Sequence, residues 1–358
     1  MDLPSSRITL RDVAERVGVS MMTVSLALRG HPKIPAGRRA EIQSAAEQMG
    51  YQPNPNATAL ALQRRHSMAH TVCAELAWLN HWQEPSRLRG YKEFDLYWQG
   101  ASSAAKRQGF SLEEFAVGPG LSFRGLERIL QARNIQGILV PPHGGMAGTA
   151  PDRSSIDWSR YSVVRFGYGL LDLPAHVVAG NHIQGTFLAC ERIRALGYRR
   201  IGYTCFVGSS MRGKAGVYLF QMNHLESERL PVHVIDREMN REENLRHLQA
   251  WIRKNRPDAI FSEVAEMRGM LAEIGCDVPG DVGLATTSVL DGGVDAGINQ
   301  HSEEVGAAAV ETLLELIYRN ETGLPALGRE VLVNGGWQDG ATLPPRAPAR
   351  DARRRGVV

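Results

Sequence analysis

Two sets of residues in this chain of 358 residues have types and spacings that point to chemistry. The first lies near the N-terminus. Thr9 is placed to cap a helix over 10–17, with Asp12 three residues on as its acidic capping-box partner. Gly18-Val19 breaks that helix, and Ser20 caps a second one over 21–28 that Gly30 ends. Ala14 is small where two such helices would cross, and Val24 faces back toward it. Val13, Val17, Val19 and Ala27 complete a small core. That packing turns Met21, Met22, Thr23, Leu26 and Arg29 outward, and a helix-turn-helix presents such a face to base-pair edges in a major groove. The second set is aromatic. Trp78, Trp82, Tyr91, Phe94, Tyr97 and Trp98 crowd one stretch, where indole rings either stack on sugar faces or fill a core or an interface.

The elements that must position these residues follow from pattern. Pro35 suits the start of a third short helix, in which Ile42, Ala45, Ala46 and Met49 recur at helical spacing before Gly50 stops it. Gln52-Pro53-Asn54-Pro55-Asn56 reads as a linker. Ala57 to Leu62 is helix-capable but too short to be stable alone. From about Ala69 short apolar runs alternate with amphipathic stretches. Strands are expected over 70–76, 111–116, 137–140, 162–166, 200–204, 231–235, 259–261 and 282–285. Helices are expected over 97–109, 125–133, 184–196, 244–254, 264–274 and 302–319. Such alternation argues parallel α/β sheets, and the strands are too many for one small sheet, so two subdomains are expected.

Composition and charge narrow the function classes. The chain is 43% hydrophobic and 22% charged, an ordinary globular balance. No apolar run approaches bilayer length and Met1 to Arg11 has no apolar signal core, so a cytoplasmic protein without a membrane partner is expected. Residues 1–66 hold nine Arg and Lys against five Asp and Glu, whereas the whole chain carries only +3. A basic head on an acidic body suits a polyanion, although a solvated surface has the same composition. Residues 344–358 hold five Arg and one Asp and read as a disordered basic tail. Cys73, Cys190, Cys205 and Cys276 form no C-x-x-C pair, and no His cluster has zinc spacing, so reduced thiols and no metal are expected. No cofactor fingerprint, P-loop, nucleophile elbow or H-E-x-x-H is present. Val207-Gly208-Ser209-Ser210 lacks a partner base, and Asp291-Gly292-Gly293 reads as a turn. No enzymatic activity is expected. The rival reading is a small-molecule-binding α/β protein or enzyme with an accessory nucleic-acid-binding head.

The head, Ile8 to Ser20 followed by Thr23-Val24-Ser25 and Leu28-Arg29-Gly30, closely resembles that of the lac-repressor (LacI/GalR) family. So does Ala45 to Asn54. The resemblance implies a homodimer on near-palindromic, double-stranded operator DNA, and transcriptional repression controlled by a small, sugar-like ligand. It implies base contacts from Met21, Met22 and Leu26, backbone contacts that orient the head from Thr9, Ser20, Thr23, Ser25 and Arg29, and places Leu10 and Arg11 among the DNA-binding residues. Met21, Met22 and Leu26 make no bidentate hydrogen bonds and suit thymine methyls instead. In the family the linker folds into a hinge helix whose leucine wedges into the minor groove. Leu60 is the matching residue, and Pro55 departs from the pattern because proline starts a helix but does not sit inside one.

The implied fold is a small all-α helix-turn-helix head (1–52), a hinge linker (53–68) and an α/β two-lobed periplasmic-binding-protein-like body with parallel sheets (69–343). The first lobe is expected over about 69–180 and 299–325, the second over about 181–298 and 326–343. Leu188 to Gly202, Pro257 to Ile260, Val278 to Val282 and Asn299 to Val310 carry this weaker resemblance. Ligands in such folds sit between lobes. At the effector positions the chain departs from the family: Gly180-Asn181 stands where an Asp-Asn pair is usual, Gly213 fills an arginine slot with Arg212 one residue off, and Ser288 is nearest to a usual aspartate. Trp78, Asn80 and Trp82, with Asn181 and Arg212 opposite, are the expected pocket residues. Arg165 interrupts an apolar strand and either points into the cleft or forms a salt bridge.

Overall fold

The computed structural model describes residues 8–28, 33–51, 74–142, 155–169, 173–207, 211–290 and 292–346. The proposed linker with Leu60, Arg29, Gly30, Cys73, Ser209 and the tail from 347 lie outside them. The head is three helices: α1 (Leu10–Val17), α2 (Met21–Leu28) and α3 (Ala36–Gln48). Thr9 and Asp12 form the expected capping box, with the Thr9 amide donating to Asp12 Oδ2 at 2.6 Å and the Asp12 amide to Thr9 Oγ1 at 3.4 Å. Hydrogen bonds from Thr9 hold the Asp12 carboxyl below its ordinary pKa. Gly18 turns the chain at φ +66°, a left-handed conformation that favours glycine. Val13, Val24, Ala27 and Ile42 are fully buried between the helices. Arg38 donates to the Val17 carbonyl at 2.8 Å and Gln43 to the Ala27 carbonyl at 3.2 Å, so α3 satisfies the exposed C-terminal carbonyls of both other helices.

The body contains β1 (Ala74–Asn80), α4 (Ser86–Gly90), α5 (Lys92–Arg107), β2 (Phe110–Ala116), α6 (Phe123–Ala132), β3 (Gly137–Val140), β4 (Ser162–Phe166) and β5 (His176–Gly180). There follow α7 (His182–Ala195), β6 (Ile201–Phe206), α8 (Met211–Met222), β7 (His233–Ile235), α9 (Arg241–Asn255), β8 (Ala259–Ser262), α10 (Met267–Glu273), β9 (Gly283–Thr286) and β10 (Gly297–Asn299). Last come α11 (Ser302–Arg319), β11 (Glu330–Val333) and β12 (Gly336–Gln338). Two six-stranded sheets result, in the orders β11-β5-β4-β3-β1-β2 and β12-β10-β9-β8-β6-β7. All neighbours are parallel except β10 and β12.

The chain passes between the sheets three times: between β5 and α7, between β10 and α11, and between β11 and β12. The sequence reading assigns 326–343 wholly to the second lobe. Instead Glu330–Val333 pairs with Val177–Gly180 in the first sheet, and the crossing falls after Val333. In the first lobe α5 and α11 cross so closely that a side chain at Gly306 would strike the Tyr97 carbonyl, and one at Gly100 the Glu303 carbonyl. The tail expectation also needs a correction at its start. Leu343 is buried, the Arg346 amide donates to the Leu196 carbonyl at 2.8 Å, and the Arg346 guanidinium lies 4.6 Å from the Tyr198 ring centroid. Residues up to 346 are therefore docked on the second lobe.

Candidate functional site

The outward face of α2 is built by subtraction. Val24 and Ala27 are consumed by the head core, and Leu26 and Leu10 lie half-buried against it. Met21 and Met22 are left 54% and 67% exposed on a helix that carries no charged side chain. Two exposed methionines on one face form an adaptable apolar ridge that lacks directional hydrogen-bonding groups. Around it are short polar side chains already oriented by local bonds. The Thr23 amide donates to Ser20 Oγ at 3.1 Å, and the two hydroxyls lie 2.9 Å apart. Thr9 is held by Asp12, and Arg11 is paired with Glu15 at 3.0 Å.

A second site lies between the lobes. A cavity of about 280 Å³ opens beside the three crossings, near the lower end of the range for small-molecule sites. The first lobe contributes Glu93, Phe94 and Val333, and the second His182, Thr186, Phe261, Glu263 and Thr287. Asn181 and Gln300 come from the crossings themselves. Asn181 caps α7 by accepting from the Gln184 amide at 3.2 Å, and its own side-chain amide donates to Asn334 at 2.9 Å. Gln300 donates to the Thr287 carbonyl at 2.9 Å. Burial, with a smaller contribution from Arg212, lowers the His182 pKa, which favours the neutral ring. Beside the cleft, the Arg212 guanidinium stacks 3.1 Å from the Tyr168 ring centroid and pairs with Glu330 at 3.3 Å. Tyr168 donates to the same carboxylate at 3.1 Å. Arg212 stands on the second lobe, and Tyr168 and Glu330 on the first, so this trio ties the lobes together.

Residues 9–54 match the family described as bacterial regulatory proteins of the lacI family. The regulator PtxS of Pseudomonas plecoglossicida is 26% identical over 348 residues, covering 92% of this chain and 96% of PtxS. The head of the chain is a lacI-family domain. The regulator GntR of Pseudomonas aeruginosa is 43% identical to this chain over 68 residues, a match spanning 20% of GntR's length. Among solved structures, the fold is similar to that of the regulator CelR in complex with cellobiose (TM-score 0.55, 18% identity, 94% of this chain and 100% of that one). It is also similar to the lac repressor dimer bound to operator and an anti-inducer (TM-score 0.52, 18% identity, 95% of this chain and 100% of that one). The curated relatives PtxS and GntR are named as transcriptional regulators.

Only Asn181 among the expected pocket residues lines the cavity. Trp78 and Asn80 are corrections: both are wholly buried in the first lobe. Trp78 packs against Trp98 and Phe166 at centroid distances of 5.4 and 5.1 Å. The Asn80 amide donates to Glu114 at 2.7 Å and the Pro85 carbonyl at 3.0 Å, and its Oδ1 accepts from the Trp82 amide. A parallel strand covered by helices buries both its faces, so alternation along β1 exposes neither residue. Trp82 is 8% exposed, donates to the Pro142 carbonyl at 2.8 Å and stacks near Tyr91 and Phe94. The aromatic cluster reaches the cavity through Phe94. Arg165 is buried and donates to the Gly167 carbonyl, and it does not line the cavity.

Two expected positions miss by one residue: Gly213 lines the cavity rather than Arg212, and Thr287 rather than Ser288. Sequence reasoning missed Glu93, His182, Glu263 and Gln300. Gln300 and Glu263 have a traceable signal in the glycines noted at family positions. A Cβ on Gly180 would stand 2.7 Å from Gln300 Oε1, and one on Gly213 would collide with the Tyr203 hydroxyl and the Glu263 carboxylate. Each glycine yields its space to a polar side chain from another element. Among the described residues no group of His, Cys, Asp or Glu is placed to hold a metal ion, and no helix is long and apolar enough to cross a membrane.

Proposed function

We propose that this chain represses transcription by binding a near-palindromic operator as a homodimer in the cytoplasm, under the control of a small sugar-like ligand held between its lobes. The observation that carries the reading is the Met21–Met22 ridge, exposed on the second helix of a LacI-family head. In the major groove these side chains, with the rim of Leu26, contact thymine methyls, so the operator half-site is rich in A·T pairs. Thr9, Leu10, Arg11, Ser20, Thr23, Ser25 and Arg29 contact the DNA backbone and fix the register. Leu60 from each subunit enters the minor groove at the centre of the site.

Control passes through the cleft. A ligand that binds one arrangement of the lobes better than another shifts their equilibrium by its differential affinity. The Arg212–Tyr168–Glu330 trio is one of the contacts that such a shift makes or breaks. The reading is supported by two structural neighbours, one a cellobiose complex and the other a dimer on operator, and by ExuR of Bacillus subtilis, named as a probable repressor and 41% identical over 61 residues. Selection from randomised duplexes with the purified full chain tests it. An enriched inverted repeat with A·T-rich half-sites is expected, and the absence of any enriched sequence would refute the reading.

A further inference from the structure

We propose that α8 of the second lobe is a self-association face, on which a second copy of this chain lays its own α8 antiparallel about a two-fold axis. This pairing is additional to the homodimer proposed for the operator.

The face is apolar and open. Along α8 and the turn after it, Met211, Tyr218, Leu219, Met222 and Leu225 are each between 48% and 72% exposed. Among the described residues no other stretch of fifteen holds so many large apolar side chains in solvent. The cause is local. Gly213, Gly216, Val217 and Phe220 turn inward, with Gly216 against Thr186, Gly213 against Tyr203 and the Phe220 ring 6.1 Å from that of Phe187. The opposite side of the same turns is left to the outside.

The spacing indicates what covers it. Met211, Ala215, Tyr218, Met222 and Leu225 follow one another at intervals of four, three, four and three residues. That alternation keeps one line of side chains facing a partner helix. No residue on the line is charged, and charge stands at its ends: Lys214 near the start and Glu226 just past Leu225. Arg229, also at the far end, is turned back onto the Met222 and His224 carbonyls. Antiparallel pairing of two copies brings each Lys214 toward the other copy's Glu226, whereas parallel pairing sets like charges together. The area agrees. Five large side chains exposed to this degree present on the order of 500 Å², so two copies together remove roughly 1,000 Å² from water, where specific interfaces begin.

The chain enters the body through the first lobe, whose β1 begins at Ala74. Heads on neighbouring half-sites must emerge side by side, which calls for contacts near that entry. The α8 line contains no first-lobe residue, so pairing through it joins two operator-binding pairs into an assembly of four chains.

Sedimentation equilibrium of the purified full chain over a concentration series tests this. Wild type is expected to reach four chains. A Tyr218→Glu/Met222→Glu chain is expected to stop at two, with pair-to-pair association weakened about a hundredfold or more and operator affinity within about twofold of wild type. Tyr218→Cys under mild oxidation should link position 218 of one copy to position 218 of another, read by mass spectrometry of the joined peptides, and this readout stands even if the charged variant fails to fold. A wild-type chain that never exceeds two copies, a folded charged variant that assembles as wild type does, or a link from position 218 to any other position would overturn the proposal. A folded charged variant that falls to single chains and loses the operator would make α8 the operator pair's own face. That result overturns the additional pairing and leaves the proposed function standing.

Discussion

The head and the interlobe cleft arrange their polar and apolar groups in different ways. In the head, each position is fixed by neighbours three or four residues away: Thr9 by Asp12, Ser20 by Thr23, and the exposure of Met21 and Met22 by the burial of Val24 and Ala27. In the cleft, each position is fixed by an element distant in sequence. Gly180 admits Gln300, Gly213 admits Glu263 and Tyr203, and Arg212 is held by Tyr168 and Glu330. The difference teaches where function and stability separate. An outward methionine on a locally defined helix changes without disturbing the fold. A cleft residue is wedged among several elements and cannot change alone.

The largest expected effect lies beneath the head's surface. Ile42→Ala removes a fully buried side chain from a small core and should cost about 2–5 kcal/mol, measured by denaturant unfolding of the head transition. A loss under 1 kcal/mol would mean that the three helices are not packed as described. The cleft should respond to the smallest possible addition. Gly213→Ala places a methyl against Tyr203 and Glu263, and about 1–3 kcal/mol of stability should be lost, together with ligand affinity. A Gly213→Ala chain with unchanged melting temperature and ligand binding would remove the contrast with the head.

Smaller effects sharpen the comparison. Arg212→Gln breaks a partly exposed ion pair between lobes, so its stability effect should stay below about 1 kcal/mol. Its signature is instead a more open solution envelope of the unliganded chain, seen by small-angle scattering. An unchanged envelope would deny the trio a role in holding the lobes. Smallest of all is a pH effect. The Asp12 carboxyl is held below its ordinary pKa in the folded head, so its contribution is present above the unfolded carboxylate range, near about 3.9. It disappears as pH falls through the lower folded value. Asp12→Asn should flatten that acid limb of the head's melting curve, and an acid limb identical to wild type would show that the capping box contributes nothing there.

Legibility in the sequence divides along the same line. The capping box, the Gly18 turn, α2 and its outward face follow from spacings inside one turn of helix, and α11 begins at Ser302 and ends at Arg319 as its amphipathic pattern implies. The alternation of strands and helices was enough for a two-sheet α/β body. Strands β5, β10, β11 and β12 were not read because each has three to five residues and takes its identity from its partners in the sheet. Helix α8 was not read because Gly213 and Gly216 interrupt it, and both are required by close contacts with Tyr203, Glu263 and Thr186. Trp78 and Asn80 looked like pocket residues because the chain alone does not say that β1 is covered on both faces. Glu93 carries no mark in the sequence, and Glu263 is signalled only at a distance, through the space that Gly213 yields to it.

The most direct test of the account is a comparison of the wild-type chain with a Met21→Ala/Met22→Ala variant on the selected operator and on random duplex, at one salt concentration and across a salt series. The variant should melt as the wild type does and keep its affinity and salt slope on random DNA, while losing on the order of 1–3 kcal/mol, about ten- to a hundredfold, on the operator. Equal losses on both duplexes, or an operator affinity that does not change, would contradict the claim that the exposed methionine ridge of α2 reads the site.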